Sequence, residues 1–323
     1  MKNLFFPFIC LLAFSYTTRA QNDNYSFKEA FEVTAPAQLV ISSEDGNIEV
    51  LPSDQNRIEV YYIVKRSNTF LKISRAEIEK EVILKAISSV NSLKINVQYP
   101  KDLRLQGPNN HLTVSLKVYV PKQTTCDLKT SDGNISISGL IGDQVIKTGD
   151  GNVHVSNIKG SIKGNTSDGN IQIRVIRGAV SFKTSDGNVS LEDIIGNAHS
   201  STGDGDMKAS KIQGDLSLAS SDGDIDFDTT EGSVTAITSD GNINGNVVEL
   251  RKKLSLKTGD GNIKITIPDR LGLNLNIRGS VVHTPLKNFS GTSAKNSIQG
   301  KLNGGGIPVE LRAGDGNVNL SYR

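Results

Sequence analysis

Seven Asp-Gly pairs recur at a strict interval of 18 residues, at Asp132, Asp150, Asp168, Asp186, Asp204, Asp222 and Asp240. An eighth follows 20 residues on, at Asp260, and two more stand apart at Asp45 and Asp315. The first eight share one frame: Thr or Ser, then Ser or Gly, then Asp-Gly, then Asn or Asp, then an apolar residue. A fixed period of this size marks a repeat architecture. It makes the chain a scaffold first, so that enzyme chemistry would need its own signature.

With the Asp of each pair as column 1, columns 4 and 6 are mainly apolar, as in Ile135/Ile137, Val153/Val155 and Ile171/Ile173. Column 9 continues the pattern with Leu140, Ile158, Ile176, Ile194, Ile212, Thr230 and Val248. Column 11 is Gly from Gly142 to Gly232, and columns 13 and 15 are mostly apolar, as in Val180/Phe182 and Leu216/Leu218. Alternation with period 2 on both sides of a turn predicts two short strands per repeat, each with one buried face.

Two architectures suit this pattern. In a β-solenoid each repeat is one coil, and equivalent columns stack at the inter-strand spacing of about 4.8 Å. In a meander each Asp-Gly is a tight hairpin turn. A meander would expose one large apolar face with nothing to cover it, whereas a coil folds its two apolar faces onto each other. The accounting favours an all-β solenoid of 18-residue coils.

The chain divides accordingly. Residues 1–20, with Lys2, an apolar run Leu4 to Phe14 and small residues before Gln21, have the form of a secretory signal peptide, which predicts export. Residues 21–125 carry less regular strands, Val33 to Val50 and Ile58 to Val64 around Asp45, then Leu93–Val97 and Leu112–Val120. Ser74 and Glu77 predict a capping box that opens one short helix near Ala76–Lys80. This segment is expected to supply irregular coils capping the stack. Residues 126–267 are the regular solenoid. Residues 268–323 are expected to form C-terminal coils around a polar loop, Asn288–Gly306, that ends in three consecutive glycines.

The order of motifs then matches a known family. Ser42–Val50 (Ser-Ser-Glu-Asp-Gly-Asn-Ile-Glu-Val) comes first, serial Thr-Ser-Asp-Gly-Asn-Ile coils follow, and Gly300–Gly306 with Arg312–Val318 close the chain. This arrangement resembles the bacterial adhesin-like family built on domain of unknown function 4097. The resemblance spans nearly all of the mature chain. It implies a β-solenoid envelope protein without established catalytic residues, from a Gram-negative bacterium of the Bacteroidetes type.

The Asp column is the obvious candidate site. Stacked carboxylates about 5 Å apart repel by roughly 3 kcal/mol per pair at an effective dielectric of 20. Either each Asp accepts the backbone N–H two residues on, with Gly at positive φ, in an Asx-turn, or Ca²⁺ binds between turns. Turn chemistry is the simpler expectation. For Ca²⁺, the candidates are Asp204, Asp206, Asp222, Asp224 and Asp226, in the densest acidic patch, which Asp228 extends. The column-3 amides are expected to hydrogen-bond along the stack. The column-17 hydroxyls, Thr130 to Thr258, are expected to point inward or at a corner. One Thr file beside a charged column does not suit ice binding.

Other function classes find little support. Net charge is only +2, which argues against a dedicated nucleic-acid binder. Between Cys126 and Asn262 there are 19 Asp+Glu against 13 Lys+Arg, a net of −6, so the repeat face is modestly acidic. After the leader no stretch approaches the roughly 20 apolar residues of a membrane helix. Only Cys126 follows the leader, so no internal disulfide is expected in the mature chain. The four histidines, His111, His154, His199 and His283, are scattered, and no phosphate loop or nucleophile motif occurs. The expectation is a non-enzymatic exported scaffold, without cofactor or catalytic residue, whose partner is an envelope glycan or envelope protein. The alternatives are a polysaccharide-active β-helix enzyme or a Ca²⁺-dependent β-roll-like module.

Overall fold

The computed structural model describes residues 24–100 and 111–323. The leader expected at residues 1–20 lies outside the described residues. The chain winds into a β-solenoid with two long sheets facing each other across one apolar core. In the first sheet, Ile135–Ser138, Val153–Lys159, Ile171–Arg177, Val189–Ile195, Met207–Gln213 and the first half of Ile225–Ile237 pair in parallel, one coil per rung. Register is column on column: Ile135 faces Val153, which faces Ile171. The second sheet stacks Gln144–Lys147, Ile162–Asn165, Val180–Lys183, Ala198–Ser201 and Leu216–Ala219 the same way.

Columns 4 and 6 of the first sheet and 13 and 15 of the second supply the core, as in Ile171, Ile173, Val180 and Phe182, all buried. Large residues are offset by small ones on the next rung. A Cβ on Gly164 would meet the Phe182 ring at 2.7 Å, and one on Gly245 would meet Phe227 at 2.2 Å. Volume is conserved between rungs rather than within them, as a close-packed core requires.

A corner at column 8 explains where the column-9 expectation changes. Asn157, Val175, Asp193 and Lys211 take φ between 53° and 56° there. This extra left-handed residue bends the strand before the next apolar side chain turns in. Strand Ile225–Ile237 lacks that bend, so Thr229 stands opposite Ile212. One coil on, Val247 is buried and Val248 is 46% exposed. The buried slot that Ile212 fills is filled by Thr229 in the next coil and by Val247 in the one after.

The ends are built differently. Strand Ile48–Ser53 pairs with Ile135–Ser138 on one side and with Leu112–Pro121 on the other. Strand Ala37–Ser43 likewise lies between Thr124–Lys129 and Ser92–Gln98. The coil that comes earliest in the chain is therefore not the outermost. Antiparallel strands Arg57–Arg66 and Phe27–Glu32 extend the first sheet beyond it, and Ile83–Ser88 extends the second. Helix Arg75–Ile78 plugs the core between them, with Ser74 as N-cap, Glu77 completing the capping box and Ile78 fully buried.

The other end repeats this inversion. Ile307–Ala313 and Val318–Tyr322 intervene between the coil Leu250–Ile267 and strands Leu273–Arg278 and Val282–His283. The stretch Asn288–Gly306, expected to be a loop, contains an antiparallel hairpin, Phe289–Ala294 with Ser297–Leu302, that closes the second sheet.

Candidate functional site

The corner joining the second sheet to the first carries the repeat motif, and three residues build it. The column-17 hydroxyl is buried and points inward at the turn. Thr148 Oγ1 donates to the Gly133 carbonyl at 2.9 Å, Thr166 to Gly151 at 2.9 Å and Thr202 to Gly187 at 2.9 Å. Thr166 Oγ1 also accepts from the N–H of Gly169, three residues on in its own rung. One hydroxyl thus closes its turn and fastens it to the preceding rung.

Gly in column 2 is required by close approach. A Cβ on Gly169 would lie 1.9 Å from the Gly151 carbonyl oxygen, and the same holds for Gly151 against Gly133. The Asx-turn expectation is corrected here. Among the eight regular corners no Gly of the Asp-Gly pair is at positive φ; Gly46 alone of the file is, at 101°. No column-1 carboxylate from Asp132 to Asp260 accepts a backbone N–H within its own turn. The N–H two residues on, that of column 3, already donates to the column-3 Oδ1 of the preceding rung, as Asn170 does to Asn152, and the Gly N–H between goes to the Thr or Ser hydroxyl, so the Asp side chain is left at the surface.

Column 3 carries the polar continuity. Each side-chain Oδ1 accepts the backbone N–H of the column-3 residue one rung on: Asn134 from Asn152 at 2.8 Å, Asn152 from Asn170 at 2.9 Å, Asn188 from Asp206 at 2.8 Å, Asp224 from Asn242 at 2.7 Å. The file begins at Ser115, whose Oγ accepts from Asn47, and Asn47 accepts from Asn134. It ends where Asn262 accepts from Asn317. Sequence reasoning foresaw amides bonding along the stack, but not that the acceptor is turned on the next backbone. The signal for that was the tolerance of Asp at 206 and 224, because only an oxygen is needed.

The five Ca²⁺ candidates separate into two groups. Asp204 and Asp222 stand exposed in the column-1 file. Asp206, Asp224 and Asp226 lie on the outward face of the first sheet, where their oxygens already serve amides. Asp206 accepts from the Asp224 N–H at 2.9 Å, and Asp226 accepts from Asn244 Nδ2 at 2.9 Å. Asp228 accepts from Asn246 Nδ2 at 3.2 Å. Among the described residues no three carboxylate, imidazole or thiol groups converge as a metal's ligand set would.

Electrostatics are strongest at one end of the column-1 file. Burial, with Asp45 and then Asp150 as neighbouring charges, pushes the Asp132 carboxyl above its ordinary value, partly offset by His111. His111 Nε2 lies 3.1 Å from Asp45 Oδ2, and Thr113 Oγ1 donates to that same oxygen. His154 pairs with Gln172 on the first sheet, whereas His199 is on the second and His283 at the far end. The structure brings none of the four histidines together. Burial holds the Cys126 thiol above its usual range, which keeps it neutral. A depression of about 440 Å³ on the first sheet is lined by Lys208, Asp226, Asp228 and Lys264 around Gly245. Two ammonium groups and two carboxylates line it, so it carries no net charge of one sign.

Comparison with known proteins follows this geometry. The model of the Toastrack DUF4097 family matches residues 37–321. A candidate adhesin from Bacteroides fragilis NCTC 9343 aligns with 74% of this chain and 96% of its own, at 18% identity and a TM-score of 0.42. A candidate cell adhesion protein from Clostridium sporogenes ATCC 15579 aligns over 92% and 99%, at 13% identity and a TM-score of 0.19. A candidate adhesin from Parabacteroides distasonis ATCC 8503 aligns over 91% and 96%, at 12% identity and a TM-score of 0.28. No curated protein matches the chain.

Proposed function

The chain belongs to the Toastrack DUF4097 family, and from that membership and the geometry of its outward columns we propose that it is an exported, non-enzymatic, adhesin-like scaffold of the cell envelope. It makes many weak contacts with envelope glycans or envelope proteins along the outer face of the first sheet. The carrying observation is the unbroken column-3 file from Asn47 to Asn317. It fixes a row of polar side chains at one-rung intervals, flanked by outward residues such as Gln172, Ser190 and Lys208. Contacts repeated at fixed spacing add through effective concentration rather than through any one strong bond. No helix of the described residues is long and apolar enough to cross a membrane.

The test is retention of the purified chain on immobilised peptidoglycan and lipopolysaccharide. Gln172→Ala alone is expected to change retention by less than about threefold, and Gln172→Ala with Ser190→Ala and Lys208→Ala by about tenfold or more, the signature of summed contacts. Turnover of a polysaccharide by the unmodified chain would overturn the reading in favour of an enzyme. Retention that vanishes with a chelator would overturn it in favour of a Ca²⁺-dependent module.

A further inference from the structure

The N-terminal end of the first sheet presents a face of different chemistry. In strand Arg57–Arg66 the buried residues are Ile58, Val60, Tyr62 and Val64, so Tyr61 points outward. In strand Leu112–Pro121 the same alternation turns Lys117 and Tyr119 outward. Tyr61 and Tyr119 meet edge to face, with ring centroids 5.6 Å apart. Tyr25, just before strand Phe27–Glu32, meets the other side of Tyr61 at 5.0 Å and 84°. Three half-buried phenol rings therefore form one continuous outward row. The columns that continue this face, from Ser136 and Ser138 to Lys264 and Thr266, contain no Phe, Tyr or Trp.

Cations surround the row. Lys72 Nζ lies 4.5 Å from the Tyr25 centroid, Lys28 Nζ 5.6 Å from Tyr61 and Lys117 Nζ 5.7 Å from Tyr119. The nearby carboxylates are already engaged, Glu59 by Arg57 at 2.5 Å and Glu49 by Lys117 at 3.7 Å. Lys28 and Lys72 have no carboxylate partner among the described residues. The patch thus combines π surface, phenolic hydroxyls and two ammonium groups without a carboxylate partner, of which Lys72 also donates to the Tyr25 carbonyl at 2.6 Å, whereas the mid-repeat face is modestly acidic.

We infer that Tyr25, Tyr61 and Tyr119, with Lys28 and Lys72, form a platform for an acidic glycan, pyranose rings that carry carboxylate groups. The C–H face of a sugar packs on a phenol ring, its hydroxyls meet the phenolic oxygens, and its carboxylates meet the two ammonium groups. Edge-to-face rings suit this ligand better than a single-stranded nucleic acid, whose successive bases stack on aromatic faces. Successive rings here are turned 84° and 75° to one another. The inference deepens the scaffold reading and rests on its ligand class, but it places a separate site at one end of the stack.

Titration of the whole chain with an oligogalacturonate, alongside a neutral galactan oligomer and oligo-dT, tests it. Lys28→Gln with Lys72→Gln breaks no ion pair and gives up one exposed hydrogen bond, from Lys72 Nζ to the Tyr25 carbonyl at 2.6 Å, so it is expected to melt within a few degrees of the parent and to weaken oligogalacturonate binding about tenfold. Tyr61→Ala with Tyr119→Ala is expected to lose at least as much, and Tyr61→Phe less than about threefold, because the ring is kept. A charge-matched control on the second sheet, Lys163→Gln with Lys183→Gln, both exposed, is expected to bind as the parent does. Unchanged affinity in the lysine variant, equal binding of the neutral galactan, or tighter binding of oligo-dT overturns the platform. Absence of oligogalacturonate binding with envelope fractions still retained removes the platform alone. Loss of both removes the scaffold reading as well.

Discussion

The regular middle and the two ends of this solenoid solve the same problem by different means. In the middle, each rung follows the last in sequence and repeats one corner: a buried Thr or Ser hydroxyl, a Gly too close to its neighbour for any Cβ, and a side-chain oxygen on the next backbone N–H. At the ends the spacing is abandoned. Asn134 bonds to Asn47 across 87 residues of chain, and Asn317 to Asn262 across 55. Yet Gly133 approaches the Gly46 carbonyl as closely as Gly169 approaches Gly151, and Gly316 approaches Gly261 equally. Membership of the stack is therefore decided by corner chemistry, and an interval of 18 residues is only the shortest route from one corner to the next.

The largest test of that equivalence is glycine replacement. Gly169→Ala is expected to cost more than about 3 kcal/mol, because a backbone carbonyl blocks the new methyl and every rung above it must shift. Gly316→Ala, in the displaced C-terminal coil, is expected to cost as much in the same urea titration. A value near that of an exposed surface site would mean that the end coil is only loosely docked. Gly304→Ala is the contrast. Its φ is +85° and nothing lies within 4 Å, so only backbone strain of about 1–2 kcal/mol is expected.

Next in size is the hydroxyl file. Thr184→Val leaves the Gly169 carbonyl without its 3.1 Å side-chain bond and is expected to cost about 1–3 kcal/mol by thermal melting. Asn170→Ala removes one acceptor from the exposed file and is expected to cost about 0.5–1.5 kcal/mol. If the two costs are reversed, the exposed file rather than the buried one holds rungs together.

The smallest expected effect is at the junction of end and middle. The raised Asp132 carboxyl means that its ionised form is less favourable in the folded chain than in the unfolded one. Between the ordinary value of about 3.9 and the raised one, the folded state binds more protons, so stability falls as pH rises through that window. Asp132→Asn is expected to melt slightly above the parent at pH 7 and level with it near pH 3. A variant that melts lower at pH 7 would show that the carboxylate contributes a favourable contact there.

Much of the middle was legible because burial leaves a period in the sequence. Columns 4, 6, 13 and 15 are mostly apolar wherever a sheet faces the core, and the Ser74–Glu77 capping box marked the helix Arg75–Ile78. The ends were less legible for physical reasons. Nothing local in Ala37–Ser53 says that a strand from residues 112–121 will lie on its outer side, since pairing partners are chosen in three dimensions. Phe289–Ala294 looked like loop because only Phe289 is even half-buried, so no alternation is imposed on it. The corner was misassigned because Asp is a good Asx-turn residue in isolation; the column-3 side chain one rung back occupies the N–H that such a turn would use. The tyrosine row was hidden by adjacent Tyr61 and Tyr62, which have the same chemistry and opposite fates.

The inverted order of the end coils has an evolutionary corollary. The regular run is closed at each end by strands from elsewhere in the chain, Leu112–Pro121 beyond Ile48–Ser53 and Val318–Tyr322 beyond Ile263–Ile267. Duplication of one eighteen-residue unit within the regular run would lengthen the molecule and leave the pairings of both closures unchanged.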